Sequence, residues 1–164
     1  MTKQNSISRV WDIIEKAGVG MLTTQFAGGL RARPLEARAD RDAGLIWFVT
    51  DVRGAKDDEI VAAHDIGLVF IDEGGRTYLS ITGRASVTRD AAKAKEIWKK
   101  TDDTWLQGWP DDPNVRVLRV ESVTAELWDC PSSTAGAALE FTKARLTGEK
   151  LNFGANRKFA VPIH

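Results

Sequence analysis

The stretch WFVTDVRGAKDDEI, residues 47–60, decides how the chain is read. Trp47, Phe48, Val49 and Thr50 favour a strand, Gly54 loosens the backbone, and an acidic run then opens a helix. Lys56 stands at that helix start, where the macrodipole favours negative charge and disfavours positive. Two readings stand. Either Lys56 meets only solvent, or it meets a phosphate shared with the helix amides and the Thr50 hydroxyl.

Working outward, the chain alternates short apolar runs with turn residues. Ser6 precedes an amphipathic run with Val10, Trp11, Ile13, Ile14 and Ala17 on neighbouring turns, closed by Gly18, which predicts a capped helix. VGMLTTQ and LRARPLEARA flank Ala27-Gly28-Gly29 and predict a β-hairpin. Pro34 lacks a donor, so its strand should have an unpaired side or a bulge there. Asp40 to Gly44 is a second turn, and GLIWFVT is a buried strand. KDDEIVAAHD supplies a short helix, and IGLVFIDE and RTYLSITGRASVTR supply two more strands. In the latter, Thr77, Leu79, Ile81 and Gly83 alternate against Tyr78, Ser80 and Thr82. Asp90 caps a further helix, Trp105–Pro113 reads as a loop, and NVRVLRVESVTAELWD as the last long strand. The tail from Ser132 carries a short helix, ALEFTKARL, before an irregular end.

Closely spaced strands with short turns argue against a doubly wound sheet. They predict a mainly β domain over residues 1–164, with about six mostly antiparallel strands in a small barrel and helices at its periphery.

Composition excludes several classes. The 164 residues carry 23 basic and 23 acidic side chains, so no general attraction for nucleic acid is implied. The single cysteine, Cys130, rules out an internal disulfide and fits a reducing compartment. No apolar run approaches the roughly 20 residues that span a bilayer, and no basic-then-apolar leader opens the chain. The expectation is a cytoplasmic protein without membrane contact. His64 and His164 lie far apart and Cys130 has no nearby partner, so no metal is expected. Neither does Cys130 have a visible base to activate it, and small-residue burial is the simpler account. Gly28-Gly29 lacks the spacing of a dinucleotide fingerprint.

What remains is an anion site with aromatic walls: Thr50 and Lys56 at the strand-to-helix junction, and Arg33 and Arg38 on opposite faces of an earlier strand. Solvated charges account for the same residues. Six tryptophans stand against one tyrosine. Trp11, Trp47 and Trp98 fall on apolar faces and read as core. Trp128, ending a long strand, could border a planar ligand.

The order ARP, WFVTD with a lysine six residues after the threonine, YLSITGRASV, WLQGWPDDP and AELWD resembles one known family. It is that of the general stress protein 26 branch of the pyridoxamine 5'-phosphate oxidase-like, FMN-binding split-barrel proteins. The resemblance covers about residues 8–130. It implies a six-stranded antiparallel split β-barrel that forms a homodimer, with FMN at the subunit interface. It implies Arg33 and Lys56 as phosphate-binding cations, and Arg33, Pro34 and Leu35 as the strand lining the flavin. Val49, Thr50 and Asp51 become the strand end that meets it. Tyr78 stands where the vitamin B6 oxidases have a flavin-contacting glutamine, and Trp128 matches an aromatic approaching FMN from the partner chain. Trp105 and Trp109 lie in a Trp-rich loop expected to cover the site.

The departures also bear on function. Ala55-Lys56 replaces an Arg-Lys pair, and no arginine-rich motif follows Trp128 before Arg145. Arg38 matches the oxidases' substrate-site lysine, but a substrate phosphate needs more cations than that. Oxidation of pyridoxine phosphate is therefore not expected. The resemblance implies an FMN-binding protein of the general stress type, a flavin-dependent oxidoreductase of unknown substrate with no catalytic group named. The alternatives are a flavin carrier or sensor and a cofactor-free dimeric barrel. Relatives of the fold also suggest FAD, the deazaflavin F420 or haem as alternative cofactors.

Overall fold

The computed structural model describes residues 3–52, 60, 64–74, 76–106, 108–129 and 155–160. Helix α1, Lys3–Ala17, is followed by β1, Val19–Phe26, and β2, Gly29–Glu36. Then come β3, Arg38–Asp40, and β4, Leu45–Asp51, and next β5, Asp65–Asp72, and β6, Thr77–Thr88. Helices α2, Ala91–Ile97, and α3, Asp102–Trp105, precede the long β7, Val115–Asp129, and β8, Ala155–Ala160.

Helix α1 runs through Ser6, so Ser6 is not its cap, and that side chain is buried. Gly18 ends the helix with a positive φ of 69° and donates its N–H to the Ile14 carbonyl at 3.0 Å. The predicted cap of α2 is present: Asp90 Oδ1 accepts from the Lys93 amide at 2.9 Å.

All the strands form one antiparallel sheet in the order β2-β1-β5-β6-β7-β4-β3, with β8 paired to β7. The expectation of a six-stranded split barrel is corrected on two points. The predicted second strand changes partner at Ala37: Glu36 is the last residue paired to β1, at Val19, and Arg38 the first paired to β4, at Trp47. That single residue divides it into β2 and β3, which stand at opposite ends of the ladder, and the sheet does not close. The eighth strand lies in the tail that the sequence reads as irregular; it pairs with Thr124–Asp129 of β7. The helix expected over 138–146 lies outside the described residues.

Pro34 pairs with Met21 on β1 and, among the described residues, has no strand on its other side, as its missing donor requires. Between Thr82 and Gly83 the β6–β7 register shifts by one, leaving Val123 as the extra residue of a bulge. Gly83 is needed there, since a Cβ would lie 2.7 Å from the Glu121 carbonyl oxygen. The bulge reverses the inward parity of β7, from Leu118 and Val120 to Ala125 and Leu127.

The main core joins these residues to Leu22, Ile46, Phe48, Leu68, Phe70, Leu79 and Ile81 and to Val10, Trp11, Ile13 and Ile14 of α1. Each large side chain fully buried here contributes about 1.5–3 kcal/mol. Ile60, the described residue of the predicted KDDEIVAAHD helix, is helical and buried in the same core. A second cluster lies on the outer side of β4 and β7, where Val49, Val115 and Val117 meet Ala94 of α2, with Trp47, Ile97, Trp98 and Leu106 around them. Strand β4 is thus covered on both faces, which is why it reads as a continuous apolar run. Trp11, Trp47 and Trp98 are packing residues, as their apolar faces predict.

Candidate functional site

Because β2 and β3 belong to opposite ends of the ladder, the end of β2 comes beside β4 without pairing to it. A cleft of about 540 Å³ opens at this seam, within the usual range for small-molecule pockets. Pro34, Leu35 and Glu36 of β2 form one wall, and Val49, Thr50 and Asp51 of β4 the other. Val19 and Arg38 line it from the neighbouring strands, and Asp102, Trp105 and Leu106 from α3 and its end.

Five of the nine residues that the resemblance assigns to a cofactor therefore line one cleft: Pro34, Leu35, Val49, Thr50 and Asp51. Arg33 sits one step along β2, half-buried opposite Leu22 and on the same face as Leu35. Lys56, with Ala55, lies outside the described residues; β4 ends beside the cleft, where the Val52 amide donates to the Asn114 carbonyl at 3.0 Å. Tyr78 and Trp128 do not line the cleft. They are directly opposed on β6 and β7, with Tyr78 exposed and Trp128 half-buried. Cys130 and His164 lie outside the described residues, and His64 is exposed.

Arg38 has a different role from the one its position in the sequence suggests. Its Nη2 donates to Asp102 Oδ2 at 2.5 Å, its Nη1 to the Glu36 carbonyl at 2.6 Å and its Nε to the Ile97 carbonyl at 3.1 Å. Both charged side chains of this pair are buried. Asp102 Oδ2 also accepts from the Lys99 amide at 2.8 Å. With each of its three nitrogens donating to protein, Arg38 clamps the α2–α3 segment to the strands.

Glu36 completes the attachment. Its carboxylate accepts from Lys99 Nζ at 2.9 Å and from the Thr101 hydroxyl at 2.6 Å. Burial alone would raise its pKa. The Thr101 and Lys99 hydrogen bonds, with the Arg38 and Lys99 charges, outweigh this and hold it below the ordinary carboxylate value.

The sequence reading missed Val19, Glu36, Asp102 and Leu106 as cleft residues. Asp102 in the first turn of a helix looks like any dipole-complementing acid, and Val19 and Leu106 like any core residue. No local signal distinguishes them. The loop expected over Trp105–Pro113 begins inside α3, and Asp112 braces its far end: its Oδ1 accepts from the Asn114 amide at 2.7 Å. Among the described residues no group of three or more histidine, cysteine or acidic side chains could hold a metal ion, and no helix is long and apolar enough to cross a membrane.

This fold and seam define a class. A model of the pyridoxamine 5'-phosphate oxidase-like family matches residues 5–152, and the chain belongs to that family, in its general stress protein 26 branch. Among solved structures it is similar to a general stress protein 26 from Jannaschia sp. CCS1, at 28% identity and a TM-score of 0.73, over 96% of this chain and 99% of that one. It is also similar to the general stress FMN/FAD binding protein of Xanthomonas citri, at 26% identity and a TM-score of 0.67, over 80% and 93% of the two chains. Protein bli-3 of Neurospora crassa is 24% identical over 140 residues, which are 79% of this chain and 67% of that protein.

Proposed function

We propose that the chain binds FMN at the β2–β4 seam as a homodimer and acts as a flavin-dependent oxidoreductase. The observation that carries this reading is the convergence of Pro34, Leu35, Val49, Thr50 and Asp51, from strands far apart in the ladder, on one cleft. The Xanthomonas citri relative, itself an FMN/FAD binding protein, supports it.

The residues present fit such a group in a particular orientation. Val19, Pro34, Leu35, Val49 and Leu106 offer an apolar wall for a planar ring, and Thr50 a hydroxyl at the strand end. The phosphate belongs toward Arg33 and Lys56, because Arg38 is spent on Asp102 and the remaining ionisable lining is acidic. Bound flavin supplies the redox chemistry. This chain's residues hold and orient the ring, and Trp105 limits solvent at the mouth. No arginine-rich motif follows Trp128 before Arg145 to take a second phosphate, so pyridoxine phosphate is not the expected substrate.

The dimer is supported by the outward face of β1, β5 and β6, where Val19, Met21, Val69, Ile71 and Tyr78 are exposed. On that face Tyr78 and Trp128 would meet the flavin of the second copy.

Purified protein should be yellow, or should quench flavin fluorescence on titration with FMN; a colourless protein that takes up no flavin overturns the reading. Lys56→Glu should weaken FMN by ~10–100-fold, the worth of a charge-assisted bond, and change riboflavin little. Equal losses for both would remove Lys56 from the phosphate site. Single-turnover kinetics with a nicotinamide donor separates an enzyme from a carrier.

A further inference from the structure

The segment that brings Trp105 and Leu106 to the cleft is held by two attachments of different kinds. One is the Arg38–Asp102 pair, whose side chains are 8% and 6% exposed, with Arg38 Nε also on the Ile97 carbonyl. Opening it would leave a charge buried without its counter-ion, so it holds for as long as the chain is folded. The other is at Glu36, where the Lys99 and Glu36 side chains are 47% and 23% exposed. Water can take over from protein at such a site, and an exposed ion pair contributes little.

The exposed attachment leads directly to the cleft mouth. The Thr101 hydroxyl donates to Glu36 Oε2 at 2.6 Å, and the Thr101 carbonyl accepts from the Trp105 amide at 3.3 Å. Lys99 Nζ donates to the other carboxylate oxygen at 2.9 Å. Glu36 is thus a wall of the cleft and an anchor of its cover at once, whereas Lys99 and Thr101 stand outside the lining residues. A further bond, from Trp98 Nε1 to Asp103 Oδ1 at 2.8 Å, ties α3 to the end of α2 and keeps the segment in one piece. Trp105 is 79% exposed, so its ring is held at the mouth by its backbone and not by packing.

We infer that Lys99 and Thr101 are positioning residues: through Glu36 they form a latch that holds Trp105 at the mouth, with the Arg38–Asp102 pair as pivot, and this latch sets how fast a bound ligand leaves. The inference rests on the flavin reading in taking FMN as that ligand. It goes beyond it in naming the residues that time the ligand's release.

Release is read from the recovery of flavin fluorescence when the FMN-loaded full chain is diluted. Lys99→Met with Thr101→Val removes the latch without touching the lining, and should speed release by ~5-fold, the upper worth of an exposed ion pair. Trp105→Ala should speed it by about 10-fold, the worth of one aromatic contact. All three changes together should release FMN no faster than Trp105→Ala alone, because the latch acts only through that ring. The urea midpoint of the latch variant should stay at the parent value. Parental release from the latch variant overturns the inference, and so do effects that multiply in the triple variant. Faster release that merely follows a fallen urea midpoint overturns it too. The ring is also followed without ligand, as the fluorine resonance of Trp105 in chain labelled with fluorotryptophan, assigned by its loss in Trp105→Ala. Removing the latch should shift that resonance. A chain that takes up no flavin but shows this shift sinks the flavin reading alone. One that binds flavin with the resonance unmoved sinks this inference alone.

Discussion

Two outer flanks of the same sheet differ in what covers them. On β4 and the first half of β7, Val49, Val115 and Val117 are buried beneath Ala94 and Ile97 of α2 and beneath Trp98 and Leu106. On β1, β5 and β6, Val19, Met21, Val69, Ile71 and Tyr78 carry apolar side chains outward and are exposed among the described residues. Along β5 and β6 the inward residues are equally well buried on the other side, so strand geometry does not explain the difference. Among the described residues, the chain spends a helix on one flank, and the other is the surface that the proposed dimer would cover.

That contrast can be broken most sharply by one charge on the covered flank. Val117→Glu places a carboxylate among the apolar side chains of Val49, Ala94 and Val115, and the variant should fail to fold cooperatively by circular dichroism and urea titration. Next in size is Arg38→Met, which leaves Asp102 buried without its guanidinium. It should cost ~3–5 kcal/mol of stability in denaturant unfolding and loosen the α2–α3 cover. The bare flank should respond differently. Ile71→Glu should leave the stability of the isolated chain within ~0.5 kcal/mol while converting dimer to monomer in sedimentation. If Ile71→Glu unfolds the protein or leaves its mass unchanged, the bare flank is not an interface.

The smallest effect is one of pH. Glu36 is held below the ordinary carboxylate value in the folded protein, so its contribution is complete above its unfolded-state pKa. That contribution is lost as pH falls through the depressed folded value. Acid should therefore release the Lys99 and Thr101 attachment, and Glu36→Gln should flatten this part of the stability–pH curve.

The same contrast shows what was legible beforehand. Alternation in RTYLSITGRASVTR gave that strand and its inward residues, because period-two burial is a property of a strand alone. The change of partner at Ala37 was not legible, since one small residue carries no sign of which neighbour it leaves. Nor was β8, whose short run is no more apolar than a loop. The cleft was legible only through the order of motifs that brought Pro34 and Leu35 together with Val49, Thr50 and Asp51. Arg38 illustrates the limit. Its identity as a cation was plain, but a guanidinium reads the same whether it awaits a ligand or is already engaged by Asp102, Glu36 and Ile97.

The corner at Ala37 has a thermodynamic consequence. Because the cleft's two walls are strands from distant positions in the ladder, the complete cavity exists only when the whole sheet has assembled. A ligand seated there bridges those strands and has no partial version of its site to occupy in a half-formed chain. Its binding energy is then added in full to the global unfolding free energy, about 2.7 kcal/mol at one hundred times the dissociation constant. Melting temperature becomes a measure of occupancy, and the molecule is most easily unravelled when its pocket is empty.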